Sequence, residues 1–270
     1  HEQVRARFPR TIYASLSGWG AGGPDAGRAG HDLGYMARSG ALGLAPVVPG
    51  VQVADVGGSL VAVAGIAMAL FRRERTGQGA TLDLALSDAA IAFGAVAWGK
   101  LRGGEPPRAG EELLDGSRPA YTLYEVADGH LAVGALEPKF WSAFCGAIGR
   151  EDLVSSGLDG GEAGARVRSE VQAILRTDTR AAWVARFRTV DACVEPVLLP
   201  HEVPADPHHR ARGVFDQGGV PSSPWSSTVD VEVGPAPSLG HDTEGVLRAA
   251  GVDDATRAKV LARVSGSSSE

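Results

Sequence analysis

Four residues in this chain have both the type and the setting for acid–base or nucleophilic chemistry. His31 and Asp32 stand side by side in "AGHDLGYMARSG", after a Gly/Pro loop and before a helix-compatible run. Asp55 sits in "ADVGGSL", at a second loop-to-helix junction. Glu137 sits in "GALEPKF", between a strand-like run and a helix opened by Pro138. Carboxylates suit helix N-termini for structural reasons alone, because they accept hydrogen bonds from free backbone N–H groups and meet the positive end of the dipole. Asp32, Asp55 and Glu137 therefore carry a structural reading beside the chemical one. His31 is harder to read as structure. A cationic imidazole is disfavoured at a helix N-terminus, so a histidine there stays neutral, which is the state a general base needs.

Other chemistries find no support in the pattern. Cys145 and Cys193 have no CxxC or zinc spacing and read as buried thiols in a reducing compartment. His208 and His209 lie in a polar loop without partners at ligand spacing, so no metal site is expected. There is no P-loop, no GxGxxG between a strand and a helix, and no GxSxG elbow. A net charge of -6 without a Lys/Arg run argues against a general nucleic-acid binder. The longest apolar run, Leu60 to Phe71, is shorter than the ~20 residues of a membrane span and reads as a buried helix. With a polar, basic start at "HEQVRARFPR", these features suggest a cytoplasmic protein with no membrane partner.

The elements that must position the four residues follow from pattern. A β-type run over Thr11–Leu16 delivers the Gly-rich loop that leads to His31. A long helix follows Asp55 and closes at Gly77 and Gly79, with a strand at 80–86 and a helix that Ser87 could cap. "RGGEPPRAGEELLDGSRP" (102–119) reads as a linker. Beyond it, 120–136 reads as a hairpin around Ala127-Asp128-Gly129. Helical segments at 138–148 and 162–189 and a returning strand at 192–199 follow. Residues 240–264 read as two short helices. The alternation gives an α/β fold: a Rossmann-like large domain at 1–117, a smaller α+β domain at 118–200, and a return segment with C-terminal helices at 201–270 packing on the large domain.

Several stretches together resemble the family III CoA-transferase superfamily (CaiB/BaiF type), and within it the α-methylacyl-CoA racemases. They are "IYASLSGWGAGGPDAGRAGHDLGYMARSGAL", "ADVGGSL", "RTGQGATLDLALSDAA", "YTLYEVADGHLAVGALEPKFW", "DACVEPVL" and "SLGHDTEGVLRAAG", in that order. The resemblance implies that His31 and Asp55 are opposing acid/bases and that Glu137 orients the histidine. It implies that Asp32 matches the aspartate on which transferase members form acyl anhydrides, that Tyr35 is a pocket tyrosine, and that Gly57 and Gly58 contact substrate. It also implies an interlocked homodimer with active sites between subunits, and an acyl-CoA substrate with no separate cofactor. Relative to the family the chain begins late: the resemblance places the first βα units, and the basic residues that grip CoA phosphates, before His1. Arg28, Arg38, Arg72 and Arg73 are the remaining weak phosphate candidates.

The chemistry suits the residues. Racemising a 2-methylacyl thioester requires one group to remove the α-proton and another to return a proton on the opposite face. The two must start in opposite protonation states. Backbone N–H groups at the helix after His31 are expected to stabilise the enolate oxygen. Two alternatives stand beside this reading: acyl transfer through Asp32, and an inactive truncated homologue.

Overall fold

A computed structural model describes residues 1–215, 221 and 236–266 of the chain. In chain order the elements are α1 (Glu2–Arg7), β1 (Ile12–Ser17), α2 (Asp32–Arg38), α3 (Ala41–Leu44), α4 (Val53–Thr76), β2 (Ala80–Ala85), α5 (Leu86–Phe93) and α6 (Ala95–Arg102). Then come β3 (Tyr121–Val126), β4 (Gly129–Gly134), α7 (Pro138–Ile148), α8 (Gly161–Leu175), α9 (Arg180–Phe187) and β5 (Val194–Pro196). The last helices are α10 (Pro207–Ala211), α11 (Thr243–Ala249) and α12 (Asp254–Gly266). The chain divides into two units, His1–Val197 and Leu198–Glu270. Part of the Pro/Gly-rich stretch 201–238, and most of the "SGSSSE" tail, lie outside the described residues.

The first unit holds two separate cores. In one, β1 and β2 pair in parallel from Ile12↔Ala80 to Ser17↔Ala85, joined through the crossover helix α4. Gly65 lets α4 lie close to Leu82 and Leu84 of β2. Gly77, at φ +69°, ends α4 as a left-handed cap, its N–H donating to the carbonyl of Arg73. Gly79 passes so near the Thr11 carbonyl that any Cβ would collide with it. Gly57 and Gly58 have the same kind of job. A Cβ at Gly57 would strike the Phe93 ring, and one at Gly58 would strike Leu86. These two glycines set the close approach of α4 and α5.

The apolar run at 60–71 is not a buried helix. It is the middle of α4, and with two strands covering only one side of the helix, the other side stays open: Val63, Met68 and Phe71 are 59%, 68% and 65% exposed. The helix is long and apolar enough to cross a membrane by length and composition alone. Ser87 does not cap α5, which begins at Leu86; its hydroxyl donates to Asp88.

The second core is built by period. In α7 the buried residues are Trp141, Phe144, Cys145 and Ile148, one stripe at helical spacing. In α8 they are Gly164, Val167, Val171 and Leu175. They pack on the inward residues of an antiparallel sheet ordered β3-β4-β5, where Tyr124, Val126, Leu131 and Val133 are buried. The hairpin turns at Ala127-Asp128, with Val126 opposite Gly129. Each large aromatic with a polar end finds a carbonyl: Tyr124 Oη donates to Pro119 (2.8 Å), Trp141 Nε1 to Leu153 (2.9 Å) and Trp183 Nε1 to Leu175 (2.8 Å). Both cysteines are free thiols; Cys145 is buried and pushed up to about 11 by desolvation, whereas Cys193 is exposed, correcting the expectation that both are buried.

In the Leu198–Glu270 unit, Asp206 caps α10 by accepting from the backbone N–H groups of His208 and His209. This is a structural use for the His-His pair's surroundings. Helices α11 and α12 occupy the stretch read as two short helices.

Residues 102–119 are an ordered loop. The Asp115 carboxylate accepts from the backbone N–H groups of Gly110 (2.6 Å), Glu112 (3.2 Å) and Ser117 (2.9 Å). Burial works against its charge, but these bonds and the Ser117 side chain hold its carboxyl below the ordinary value of 3.8. A depressed carboxyl contributes stability above its unfolded value and loses that contribution as the pH falls through the folded one. We therefore expect thermal melts between about pH 3 and pH 7 to show an acid-side loss that Asp115→Asn reduces, while lowering stability at neutral pH. An unchanged acid limb in the variant would show that the loop does not carry the effect.

Candidate active site

The site is assembled where two helix N-termini meet. β1 runs out at Ser17, and the loop 18–30 follows. Its path is held at both ends. Ser17 Oγ accepts from Gly20 N (3.0 Å), and Gly20 has a φ of +84° that only glycine adopts freely. Both oxygens of Asp83, from β2, accept from Ala21 N at 3.0 and 3.1 Å. Tyr35 fills the space left by two glycines: a Cβ at Gly18 or Gly30 would collide with its ring or hydroxyl. Its ring meets Trp19 edge-on at 4.8 Å. Tyr35 is 5% exposed. Tyr35 thus clamps the loop ahead of His31 from the core side.

Arg38 stacks over Trp19 at 4.9 Å and pairs with Asp25, which also holds Arg28 at 2.9 Å. These two phosphate candidates are already engaged with a carboxylate. Hydrogen bonds from Arg38 and Arg28 hold the Asp25 carboxyl below its usual range.

His31 occupies the N-cap position of α2 with extended backbone, φ -135° and ψ 167°, but its side chain makes no capping bond. Its carbonyl accepts from Gly34 N (2.8 Å) and Tyr35 N (3.3 Å), and its ring is left to the exterior. Asp32 is buried, and its role is plain. Oδ1 accepts from Ala54 N at 2.6 Å and from Asp55 N at 3.1 Å. Asp32 therefore caps α4, a helix more than twenty residues away in sequence, and pins the start of α2 against the start of α4. The capping reading holds for Asp32, across two helices instead of within its own.

Asp55 lies in the first turn of α4, one residue beyond that clamp. Its backbone N–H is taken by Asp32, and its Oδ1 is buried without a hydrogen-bond partner. Buried carboxylate oxygens are nearly always paired, so an orphan oxygen marks a place where the structure tolerates a cost. The clamp thus sets the start of α2, which carries His31, against the start of α4, which carries Asp55.

Glu137 is elsewhere. It takes the N-cap position of α7 without a side-chain capping bond and is exposed; beside burial and Asp191, its charge helps push the Cys193 thiol up. Among the described residues no hydrogen bond or ion pair joins Glu137 to His31. No group of three His, Cys, Asp or Glu side chains that could hold a metal occurs among the described residues.

Pattern reading missed Asp83. Its signal was available: an acid in the middle of "ATLDLAL", where an interior strand alternates only apolar residues, needs a partner, and the loop amide of Ala21 supplies one.

With this geometry in place, comparison with known proteins is decisive at the level of family. Residues 1–243 match the model of CoA-transferase family III. The chain belongs to that family. It is 35% identical over 263 residues to "Alpha-methylacyl-CoA racemase" of Homo sapiens, covering 91% of this chain and 69% of the human protein. It is 29% identical over 245 residues to "Succinyl-CoA:mesaconate CoA-transferase" of Haloarcula hispanica, covering 85% of this chain and 58% of that one. A crystal structure of a CAIB/BAIF family protein from Brucella suis superposes with a TM-score of 0.70 at 26% identity, covering 94% of this chain and 71% of that chain. The α/β architecture is that of the family.

The clamp yields a test that separates structure from chemistry. Asp32→Ala should destabilise the chain by about 2 kcal/mol through loss of the α4 cap, while Asp32→Asn, an equally good cap, should stay close to the parent. Chemical denaturation of the three proteins measures it. An Asn variant that is as stable as the parent yet inactive would give Asp32 a chemical role.

Proposed function

We propose that this family III member racemises or epimerises 2-methylacyl-CoA thioesters by 1,1-proton transfer, with His31 and Asp55 as opposing acid and base. The observation that carries the reading is the Asp32 clamp, which sets an uncommitted imidazole and a carboxylate with an orphan oxygen at adjoining helix starts. In one direction neutral His31 takes the α-proton and protonated Asp55 delivers one to the other face; in the reverse direction the roles exchange. The 35% identity to a racemase supports the assignment. No cofactor beyond the coenzyme A of the substrate is required by this chemistry.

Acyl transfer is the second reading, and the transferase relatives favour it. In that reading Asp32 is the nucleophile: its Oδ1 accepts from two backbone N–H groups of α4, which fixes the carboxylate and leaves Oδ2 as the oxygen that would form the anhydride. The two readings differ in whether Asp32 or the pair His31 and Asp55 meets the thioester.

We also propose that the active form is a homodimer. Glu137 lies apart from His31 within the chain, and the outer face of α4 is apolar and open. A second copy supplying its Glu137 to this His31 accounts for both.

Incubating one enantiomer of a 2-methylacyl-CoA in D₂O should place deuterium at the α-carbon, and His31→Ala should slow that exchange by about 10²–10⁴. Exchange unaffected by the loss of His31, or absent while CoA moves from an acyl-CoA donor to a free carboxylic acid, would sink the racemase reading. For the dimer, mixing His31→Ala with Glu137→Ala protomers should restore part of the activity that each lacks alone. Failure to complement, in a preparation shown to exchange subunits, would place Glu137 outside the site.

A further inference from the structure

The end of α4 remote from the proposed chemistry carries a concentration of positive charge. In a chain of net charge -6, residues 1–12 and 70–82 hold six arginines against two acids, Glu2 and Glu74. The fold brings the two stretches together. Gly79 N donates to the Pro9 carbonyl at 2.9 Å, and Ile12 pairs with Ala80 where β1 and β2 begin. Arg10 Nη1 lies 3.6 Å from the place a Cβ would take at Gly77, the left-handed stop of α4. Arg72, Arg73 and Arg75 fan around the same helix end, because successive helical residues are turned by about 100°.

We propose that Arg10, Arg72, Arg73 and Arg75 form a binding site for an anion bearing two or more phosphate groups, separate from the thioester site. Their donors are unspent. Among the described residues none of the four guanidinium groups donates a hydrogen bond, and Arg73 Nε is buried without an acceptor. Buried donors nearly always have one. The ion-pair partner of Arg73, Glu74, stands 3.6 Å away and is 68% exposed. Arg75 lies over the Phe71 ring at 5.0 Å, a contact that uses the face of the guanidinium and not its in-plane N–H groups. Arginines at a helix C-terminus ordinarily answer the dipole or bond the last carbonyls. Here no such bonds form, Arg10 is not on the helix, and the helix end supplies only about half an elementary negative charge. The positive field left over attracts anions. Guanidinium forks match phosphate oxygens two at a time. An anion with several phosphates offers oxygens to forks that approach from different sides, which a single carboxylate does not. Arg73 stands ~27 Å along α4 from Asp55, so this anion is distinct from the thioester undergoing reaction.

Calorimetric titration of the full chain with sodium pyrophosphate, at low ionic strength where charge pairing is least screened, tests the site. Flotation with phosphatidylcholine vesicles, with and without phosphatidic acid, distinguishes the two sources of such phosphates. Saturable pyrophosphate binding without vesicle binding assigns a soluble oligophosphate; capture by phosphatidic acid vesicles alone assigns lipid headgroups. In either case the double variant Arg10→Gln, Arg73→Gln should weaken binding at least tenfold. Arg188→Gln, which removes the same charge from an exposed position at the end of α9, should change it less than twofold. Binding of neither probe overturns the proposal, and so does an equal weakening by Arg188→Gln, which would report net charge alone. The double variant should also keep the parent's affinity for coenzyme A within twofold. A parallel tenfold loss for coenzyme A would place these arginines in the substrate site and overturn the separate ligand. Should Arg73→Gln not fold, judged by circular dichroism, the double variant Arg10→Gln, Arg72→Gln takes its place with the same expected results, since both positions are exposed.

Discussion

The carboxylate of Asp32 on the first N–H groups of α4 is the interaction on which the site depends. A long helix presents unsatisfied donors and a partial positive charge at its start. A carboxylate there accepts hydrogen bonds from those donors, and as a cap it contributes about 0.5–2 kcal/mol. Here that carboxylate belongs to the first residue of another helix. The same bonds that cap α4 therefore dock α2, and with α2 comes His31. The "HD" pair divides the labour: the imidazole is left free because its neighbour does the anchoring. An anhydride formed through Oδ2 of Asp32 would neutralise the charge but leave Oδ1 a carbonyl that still accepts from Ala54 and Asp55 N–H.

The surroundings of the clamp are rigid for reasons of volume. Tyr35 occupies the space that side chains at Gly18 and Gly30 would need, and Asp83 reaches from β2 to hold the loop amide of Ala21. Trp19 is fixed between Tyr35 and Arg38. A positioned base is only as accurate as the residues that fix its backbone, and each contact here restricts the approach to His31. Gly57 and Gly58 serve the same end from the other side, letting α5 close on the first turns of α4.

Much of this was legible in the residues, and the exceptions share a cause. Local signals read well. The Ala127-Asp128 turn, the stripe of Trp141, Phe144, Cys145 and Ile148, and the Gly77 stop each depend on a few neighbouring residues and appear where the pattern placed them. His31 and Asp55 were singled out because residue type and junction coincided. What local pattern does not carry is the partner distant in sequence. Nothing near Gly57 and Gly58 announces that Phe93 and Leu86 pack against them, or that Tyr35 fills the space beside Gly18 and Gly30. No local rule announces that Asp32 caps α4. An apolar run such as 60–71 reports that burial is wanted, but not what provides it.

That last point has a physical consequence. Parallel strands are ordinarily covered on both faces, and here a two-stranded parallel sheet is covered by α4 while Leu16 remains 45% exposed. The open side of α4 continues the same surface. A lipid bilayer is a poor account of it, since the inner side of the helix is engaged with Leu82 and Leu84 and its start is bonded to a buried aspartate. A helix so tied to the strand pair has one face to offer, and protein is the medium that can match its side chains individually. An isologous contact places identical patches against each other and generates two equivalent sites at one interface. In the proposed homodimer, the exposed Glu137 at the start of α7 in one copy would orient the His31 imidazole at the start of α2 in the other. Proton transfer in such an assembly would require association, and its rate would fall with dilution in step with the dimer population.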